Sequence, residues 1–307
     1  MNNEEKAEKI GVSNNPRVVI TGSQGLIGKA LGKALRDNGY DVVGIDVSRG
    51  PGDQVLKANL LDFEETQRAI NAARPFSVLI HAAALAHGQA PPPGQSLLSV
   101  NSRMTENLIN AVEKEKLRVV FLSSVSVYGE DAREGVVGVD EELRPSTDYG
   151  RSKKASEDII LESAVEHCDI LRLAPVFDAC YVVNARSRAF LPGLSRIKIW
   201  LLPSPKYSLC SLDTVVQKVC DLLGNPPCGR QILNVCDSRP YDQHEIASWF
   251  MGLTLPVPVV LLKPLYWSTF FFPAEIGYRV RCMYWKLFRS NVYSTAAVKT
   301  TNSSRSE

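Results

Sequence analysis

The run Arg17-Val18-Val19-Ile20-Thr21-Gly22-Ser23-Gln24-Gly25-Leu26-Ile27-Gly28 constrains this chain more than any other. Its β-branched start reads as a buried strand that breaks at glycine. From Gly25 to Asn38 the apolar residues Leu26, Ile27, Ala30, Leu31, Ala34 and Leu35 recur at a helical period, which stops at Asn38-Gly39. A strand that enters a helix through three glycines is a βα unit. Gly22 permits the tight turn, Gly25 lets an anion approach the helix N-terminus, and Gly28 lets the helix pack close to the strand.

The alternation continues. Asp41 to Ile45 is a second strand, followed directly by Asp46. Phe63 to Ala73 reads as a helix and Ser77 to Ile80 as a strand. Residues 88–95 form a proline- and glycine-rich loop. Then come a long helix from Leu97 to Lys116, a strand from Arg118 to Leu122, a helix from Tyr149 to His167 and a strand from Asp169 to Leu173. Continuous apolar strands joined by helices predict an α/β fold, a doubly wound parallel sheet. After Pro175 the segments shorten, with one clear helix (Asp213 to Leu223) and one strand (Gln231 to Val235). The expected organisation is a disordered lead-in at 1–15, a dinucleotide-binding domain at 16–174, a smaller C-terminal substrate lobe at 175–293 and a flexible tail at 294–307.

Composition limits the partners. The 307 residues carry a formal net charge of +2 and no dense basic stretch, which argues against nucleic acid. Cys168, Cys180, Cys210, Cys220, Cys228, Cys236 and Cys282 are scattered without a C-x-x-C pair, as reduced thiols of a cytoplasmic protein are. His81, His87, His167 and His244 form no metal-binding spacing, so no metal is expected. Met1 to Asn15 lacks the apolar stretch of a secretory signal.

Asp46 gives the glycine turn its chemistry. A carboxylate at the end of the second strand accepts hydrogen bonds from ribose hydroxyls and repels the extra phosphate of NADP, which points to bound NAD. Arg49 nearby leaves the phosphate-bearing form open, and a glycine-bearing loop without a ligand is the plainer alternative. Tyr149-Gly150-Arg151-Ser152-Lys153 sets a phenol and an ammonium four residues apart on one helix face. The ammonium favours tyrosinate and lowers the tyrosine pKa toward useful acid–base chemistry. A surface pair with no role has the same spacing. Ser124 and Ser126 leave the C-terminal end of a strand, where ligands bind in such sheets.

The T-G-x-x-G-x-x-G turn, Asp46, His81-Ala82-Ala83-Ala84, Asn101, the Ser-Ser-x-x-Val-Tyr-Gly stretch at 123–129 and Y-x-x-x-K occur in one order. From residue 17 to about 240 the chain resembles the extended short-chain dehydrogenase/reductase family, in particular its NAD-dependent nucleotide-sugar epimerases and dehydratases. The resemblance implies a Rossmann sheet and hydride transfer between NAD and a sugar carbon of a nucleotide-sugar substrate. It makes Ser124 the hydrogen-bond partner of the reacting oxygen and Tyr149 the acid/base. Lys153 tunes Tyr149 and holds the nicotinamide ribose. Cofactor contacts are expected from Gly22, Gln24, Gly25, Leu26, Ile27, Asp46, Leu60, Ala82, Ala83, Tyr149 and Lys153. Substrate contacts are expected from Ser126 and Arg186, with Arg188 and Arg196 as further partners for a diphosphate. A solvated hydroxyl and a solvated basic loop are the alternatives. His81 and Asn101 are expected in structural roles, and Arg172 at a loop or a strand end.

Dehydratases of that family carry Asp-Glu directly after the position of Ser124. Val125 and Ser126 stand there in this chain, which disfavours dehydration. An epimerase, acting at C4 in surface-polysaccharide precursor synthesis, and a 4-keto-sugar reductase remain; Asp46 tilts the choice to the epimerase. Pro175 and Phe177-Asp178-Ala179 depart from the Asn and Tyr-Gly-Pro of many epimerases. A non-catalytic NAD-binding scaffold is the rival from another class, and intact Ser124, Tyr149 and Lys153 argue against it.

The stretch 256–293 is apolar, with Tyr266, Trp267 and Phe270-Phe271-Phe272 followed by Arg279, Arg281, Lys286 and Arg289. Lys263, Pro264 and Pro273 interrupt it, so it does not span a membrane. It packs on the small lobe or on a homodimer partner, or it lies against the inner face of the membrane.

Overall fold

The computed structural model describes residues 16–48, 54–86, 89–112, 116–129, 135–190, 196–296 and 298–299. The expected lead-in, Arg49, His87 and the tail from 300 lie outside the described residues. Strand β1 (Arg17–Thr21) turns through Gly22 into helix α1 (Leu26–Asp37). There follow β2 (Asp41–Asp46), β3 (Val55–Lys57), α2 (Phe63–Ala73), β4 (Val78–His81), α3 (Leu97–Val112), β5 (Arg118–Ser124), α4 (Asp148–Glu162) and β6 (His167–Leu173). The remainder comprises α5 (Val183–Ala189), β7 (Ile197–Leu202), α6 (Leu212–Leu223), β8 (Arg230–Val235), α7 (Gln243–Ser248), β9 (Leu253–Pro258), α8 (Lys263–Ser268), α9 (Ala274–Phe288) and β10 (Val298–Lys299), with short strand pairs between them.

One sheet runs β10-β8-β6-β5-β4-β1-β2-β3. Neighbours from β8 to β3 are parallel, and β10 is antiparallel to β8. Strand order reverses between β1 and β4, and the crevice beyond the C-terminal strand ends at such a reversal is where doubly wound sheets take ligands. The period of two splits the strands between two cores. Val18, Ile20, Val120, Leu122, Leu171 and Leu173 face α1 and α6. Val19, Leu79, Val119, Phe121 and Ile170 face the apolar sides of α2, α3 and α4.

The glycine turn is forced by contact. Gly22 has φ +67°, and a Cβ on Gly28 would sit 2.1 Å from the Gly22 carbonyl oxygen. Only glycines let α1 start so close to the strand end.

Three expectations need correction. The helix from Tyr149 ends at Glu162, not His167: Ser163 is extended, and its hydroxyl donates to the Ile160 carbonyl at 2.7 Å. His167 instead opens β6, pairing with Arg118. The third helix is described as Leu97–Val112; residues 113–115 lie outside the described residues and Lys116 is not helical. The boundary at 174/175 does not separate a lobe from the sheet. Helix α6 packs in the same core as α1, and β8 adds to β6, so residues 210–235 belong to the sheet unit. Off the sheet stand α5 and α7, the parallel pair β7–β9, and α8 and α9. Tyr284, Leu287 and Phe288 of α9 pack on Ile199 and Leu201 of β7. Beyond α9, Val292–Tyr293 pairs in parallel with Val136–Val137 and ties this unit back to the sheet.

Candidate active site

At the glycine end, Gly25 is the N-cap of α1 and no side chain caps it. The first-turn N–H groups therefore lack a side-chain acceptor, as an anion-binding helix start requires. Leu26 and Ile27 line a cavity there. Asp46 closes the turn from the next strand: its carboxylate accepts from the Gln24 N–H at 3.0 Å and from the Ser48 N–H and hydroxyl at 3.0 and 2.9 Å. A carboxylate has further lone pairs beyond these three.

At the other end, β5 stops at Ser124 and the chain makes a 3₁₀ turn from Val125 to Tyr128. The Ser126 N–H donates to Ser124 Oγ at 3.2 Å, and the Ser124 hydroxyl donates to Ser126 Oγ at 3.1 Å. Helix α4 starts beside this turn. Thr147 caps it, its hydroxyl accepting from the Gly150 N–H at 3.1 Å. A Cβ on Gly150 would lie 2.5 Å from the Ser126 carbonyl oxygen, so glycine lets the helix start touch the serine turn. Tyr149 and Lys153 then face the cavity from the first turns of α4.

The electrostatics differ from those implied by the Y-x-x-x-K spacing alone. Lys153 is 3% exposed, donates to the Leu122 carbonyl at 2.7 Å and lies 5.9 Å from the Tyr149 ring centre. Burial pulls its pKa down to about 8, with Glu157 opposing. Desolvation, seconded by Tyr181, pushes the Tyr149 phenol up to about 12 rather than down. For Tyr149 desolvation is the dominant cause, and the Lys153 ammonium is bound to the Leu122 carbonyl.

A buried network backs the serine turn. Glu157 accepts from the Ser123 hydroxyl and pairs with Arg172 at 2.8 Å. Arg172 also donates to the Tyr128 hydroxyl and the Val139 carbonyl, both at 2.9 Å, and Tyr128 donates to Asn234 Oδ1 at 2.7 Å. Arg172 is thus a structural anchor reaching Val139 in an adjacent loop. His81 sits between the hydroxyls of Thr21 and Thr105, at 2.8 and 3.1 Å. Asn101 holds the Leu85 backbone and the Ser152 hydroxyl. Neither lines the cavity.

One cavity of about 430 Å³ brings together Gly22, Gly25, Leu26, Ile27, Ala82, Ser124, Ser126, Tyr149 and Lys153. Gln24, Asp46 and Ala83 are not among the residues that line it. Leu60, expected at the cofactor, is 4% exposed in the core around α2 and α3 and does not line the cavity. Arg186 stacks on Phe190, 4.4 Å from its ring centre, and does not line the cavity. Arg188 lines it instead, because positions two apart on a helix face opposite ways. Tyr181, Asn184, Ser208, Asn291 and Tyr293 complete the far wall. Asn291 and Tyr293 arrive through the strand pair with Val136–Val137 and the bond from the Ser208 N–H to the Asn291 carbonyl at 2.8 Å.

A model of the NAD dependent epimerase/dehydratase family matches residues 18–183. The chain is 33% identical over 162 residues to UDP-glucose 4-epimerase uge1 of Schizosaccharomyces pombe, covering 47% of this chain and 45% of that protein. It is 29% identical over 173 residues to methionine adenosyltransferase 2 subunit beta of Danio rerio, covering 52% and 48%. The chain thus spans about half the length of these relatives. In fold it resembles the UDP-glucose 4-epimerase of Thermus thermophilus, solved in complex with NAD, with TM-score 0.62, 20% identity and 88% and 99% of the two chains covered.

Proposed function

From the premise that the chain belongs to the NAD dependent epimerase/dehydratase family, we propose that it is an NAD-dependent nucleotide-sugar epimerase acting at C4 of the sugar. The observation that carries the reading is the single cavity from the glycine turn to Ser124, Tyr149 and Lys153. The residues present fit a dinucleotide. The uncapped start of α1 suits the pyrophosphate, and Asp46 suits the adenosine ribose and disfavours a 2′-phosphate. The likeness to an S. pombe UDP-glucose 4-epimerase supports the choice of reaction.

When bound, the nicotinamide supplies a reversible hydride acceptor. The protein supplies position and protons. Tyr149 exchanges a proton with the sugar oxygen, and the Ser124 hydroxyl hydrogen-bonds the same oxygen. The Lys153 ammonium, displaced toward neutrality by burial, carries positive charge next to the phenol as its proton leaves. At the far wall Arg188, Asn184 and Ser208 suit an anionic, diphosphate-linked substrate. Among the described residues no Asp or Glu lines the cavity.

A 4-keto-sugar reductase is the second reading: burial raises the Tyr149 pKa, so the phenol keeps the proton that a substrate carbonyl would receive. The test is mass spectrometry of the native protein for retained NAD, then incubation with UDP-glucose and, separately, with a 4-keto-sugar nucleotide and NADH or NADPH. The epimerase reading expects the C4 epimer without net oxidation of cofactor, and a loss of about 10²–10⁴-fold in Tyr149→Phe with an unchanged melting temperature. Stoichiometric cofactor oxidation makes the protein a reductase. Absence of dinucleotide binding, or full activity in Tyr149→Phe, overturns both.

A further inference from the structure

The unit after β9 has an apolar surface that its own fold leaves uncovered. The inner side of α9 is satisfied by β7, through Tyr284, Leu287 and Phe288. The connection between α8 and α9 is not. Trp267 is 64% exposed, Phe270 57% and Phe271 91%, and Phe272, Val260, Leu261, Ile276 and Tyr278 are exposed beside them. Isolated exposed apolar residues are ordinary; a concentration of large aromatic ones on one helical connection is not.

Charge identifies the occupant. From Leu253 to Tyr293 the cations are Lys263, Arg279, Arg281, Lys286 and Arg289 and the one acid is Glu275, a net of +4 on a chain whose total is +2. Two of these cations sit among the rings: the Arg281 guanidinium lies 4.6 Å from the Phe270 ring centre, and that of Arg289 3.9 Å from Trp285. Lys263 is exposed at the start of α8. Aromatic rings with interleaved Lys and Arg suit a boundary that is apolar below and anionic above. A second copy meeting this face by two-fold symmetry would set the same positive patch against itself. Phe271, almost fully exposed, stands on the 3₁₀ turn Thr269–Phe271 between two helices, where it can enter a fluid interface without a matching groove. No helix among the described residues is long and apolar enough to cross a bilayer, so the contact is with the surface.

We propose that the α8–α9 connection docks this chain on an anionic lipid surface, with Trp267 and Phe270 to Phe272 entering the headgroup boundary and the Lys263 and Arg281 side chains meeting lipid phosphates. The inference does not rest on the reaction assigned to the cavity. It bears on that cavity through the covalent path: α9 leads directly to Asn291 and Tyr293, which line it, and the Tyr207 hydroxyl donates to the Leu287 carbonyl.

The test is flotation of the full chain with vesicles of phosphatidylcholine alone and of phosphatidylcholine containing about a third phosphatidylglycerol. Partition is expected on the anionic vesicles, with at least a tenfold loss in 0.5 M salt and in the double variant Phe271→Ser, Phe272→Ser, and a smaller loss in Lys263→Glu. Both variants change exposed side chains, so the melting temperature should stay within a few degrees. The proposal is overturned if the wild type floats with neither vesicle or if the double variant floats as well as the wild type. It is overturned equally if sedimentation velocity shows a concentration-dependent dimer that the double variant abolishes, which makes a second copy the occupant.

Discussion

His81 shows how a motif residue is held out of chemistry. It lies on β4 beside the glycine turn and is 1% exposed, and both ring nitrogens meet threonine hydroxyls. Burial first, and the Lys153 charge second, bring its pKa down to about 3. The unfolded chain takes up a proton near pH 6.5 and the folded chain does not, so stability is lost as pH falls from about 6.5 toward 3. Between pH 7.5 and 5 this group alone should remove about 2 kcal/mol. Urea midpoints measured across that range should fall more steeply for the wild type than for His81→Gln. Parallel slopes would mean that the folded state accepts the proton. Asp46 operates differently: its chemistry was legible from its place at the end of β2, yet its first partners are the Gln24 and Ser48 groups that shape the turn.

At the scale of elements, α5 decides which arginine reaches the cavity. The sequence offers Arg186 and Arg188 on equal terms, since residue type carries no orientation. Once Val183–Ala189 winds into a helix, the two diverge. Arg186 goes to the rings of Phe190 and Phe250 and Arg188 to the cavity wall, 5% exposed. With a nucleotide sugar as substrate, Arg188→Met should raise KM about tenfold or more while leaving dinucleotide binding unchanged. Arg186→Met should leave KM within about twofold and act on stability through lost stacking. Equal KM effects from the two substitutions would refute this division. Helix α4 makes the complementary point. Its capping Thr147 and the Tyr149–Lys153 spacing can be read locally, but the docking of Gly150 on the Ser126 carbonyl joins segments more than twenty residues apart and has no local signature.

For the whole molecule, the cavity is assembled from both ends of the chain. Removal of residues 290–307 takes away Asn291, Tyr293 and the strand partner of Val136–Val137, as well as edge strand β10. The glycine turn and the seven parallel strands stay. The truncated chain should still bind the dinucleotide, within a few-fold by titration calorimetry, and lose most of its turnover. Unchanged turnover would show that the far wall is dispensable. The sheet class, the glycine turn and the Asp46 position were legible in the sequence alone, because each is written in short-range patterns: a period of two, a period near 3.6, turn glycines and residue spacing; the Ser124–Tyr149–Lys153 set needed the family resemblance, since a tyrosine and a lysine four apart also suit a surface helix. Tertiary structure alone decided three other things. It returned α6 and β8 to the sheet, where the weakening pattern after Pro175 suggests a separate lobe. It turned the Tyr149 pKa upward, because desolvation depends on atoms brought from distant segments. It covered one side of the apolar C-terminal unit with β7 and left the α8–α9 connection exposed. An apolar pattern tells which residues seek cover, and packing determines which of them find it.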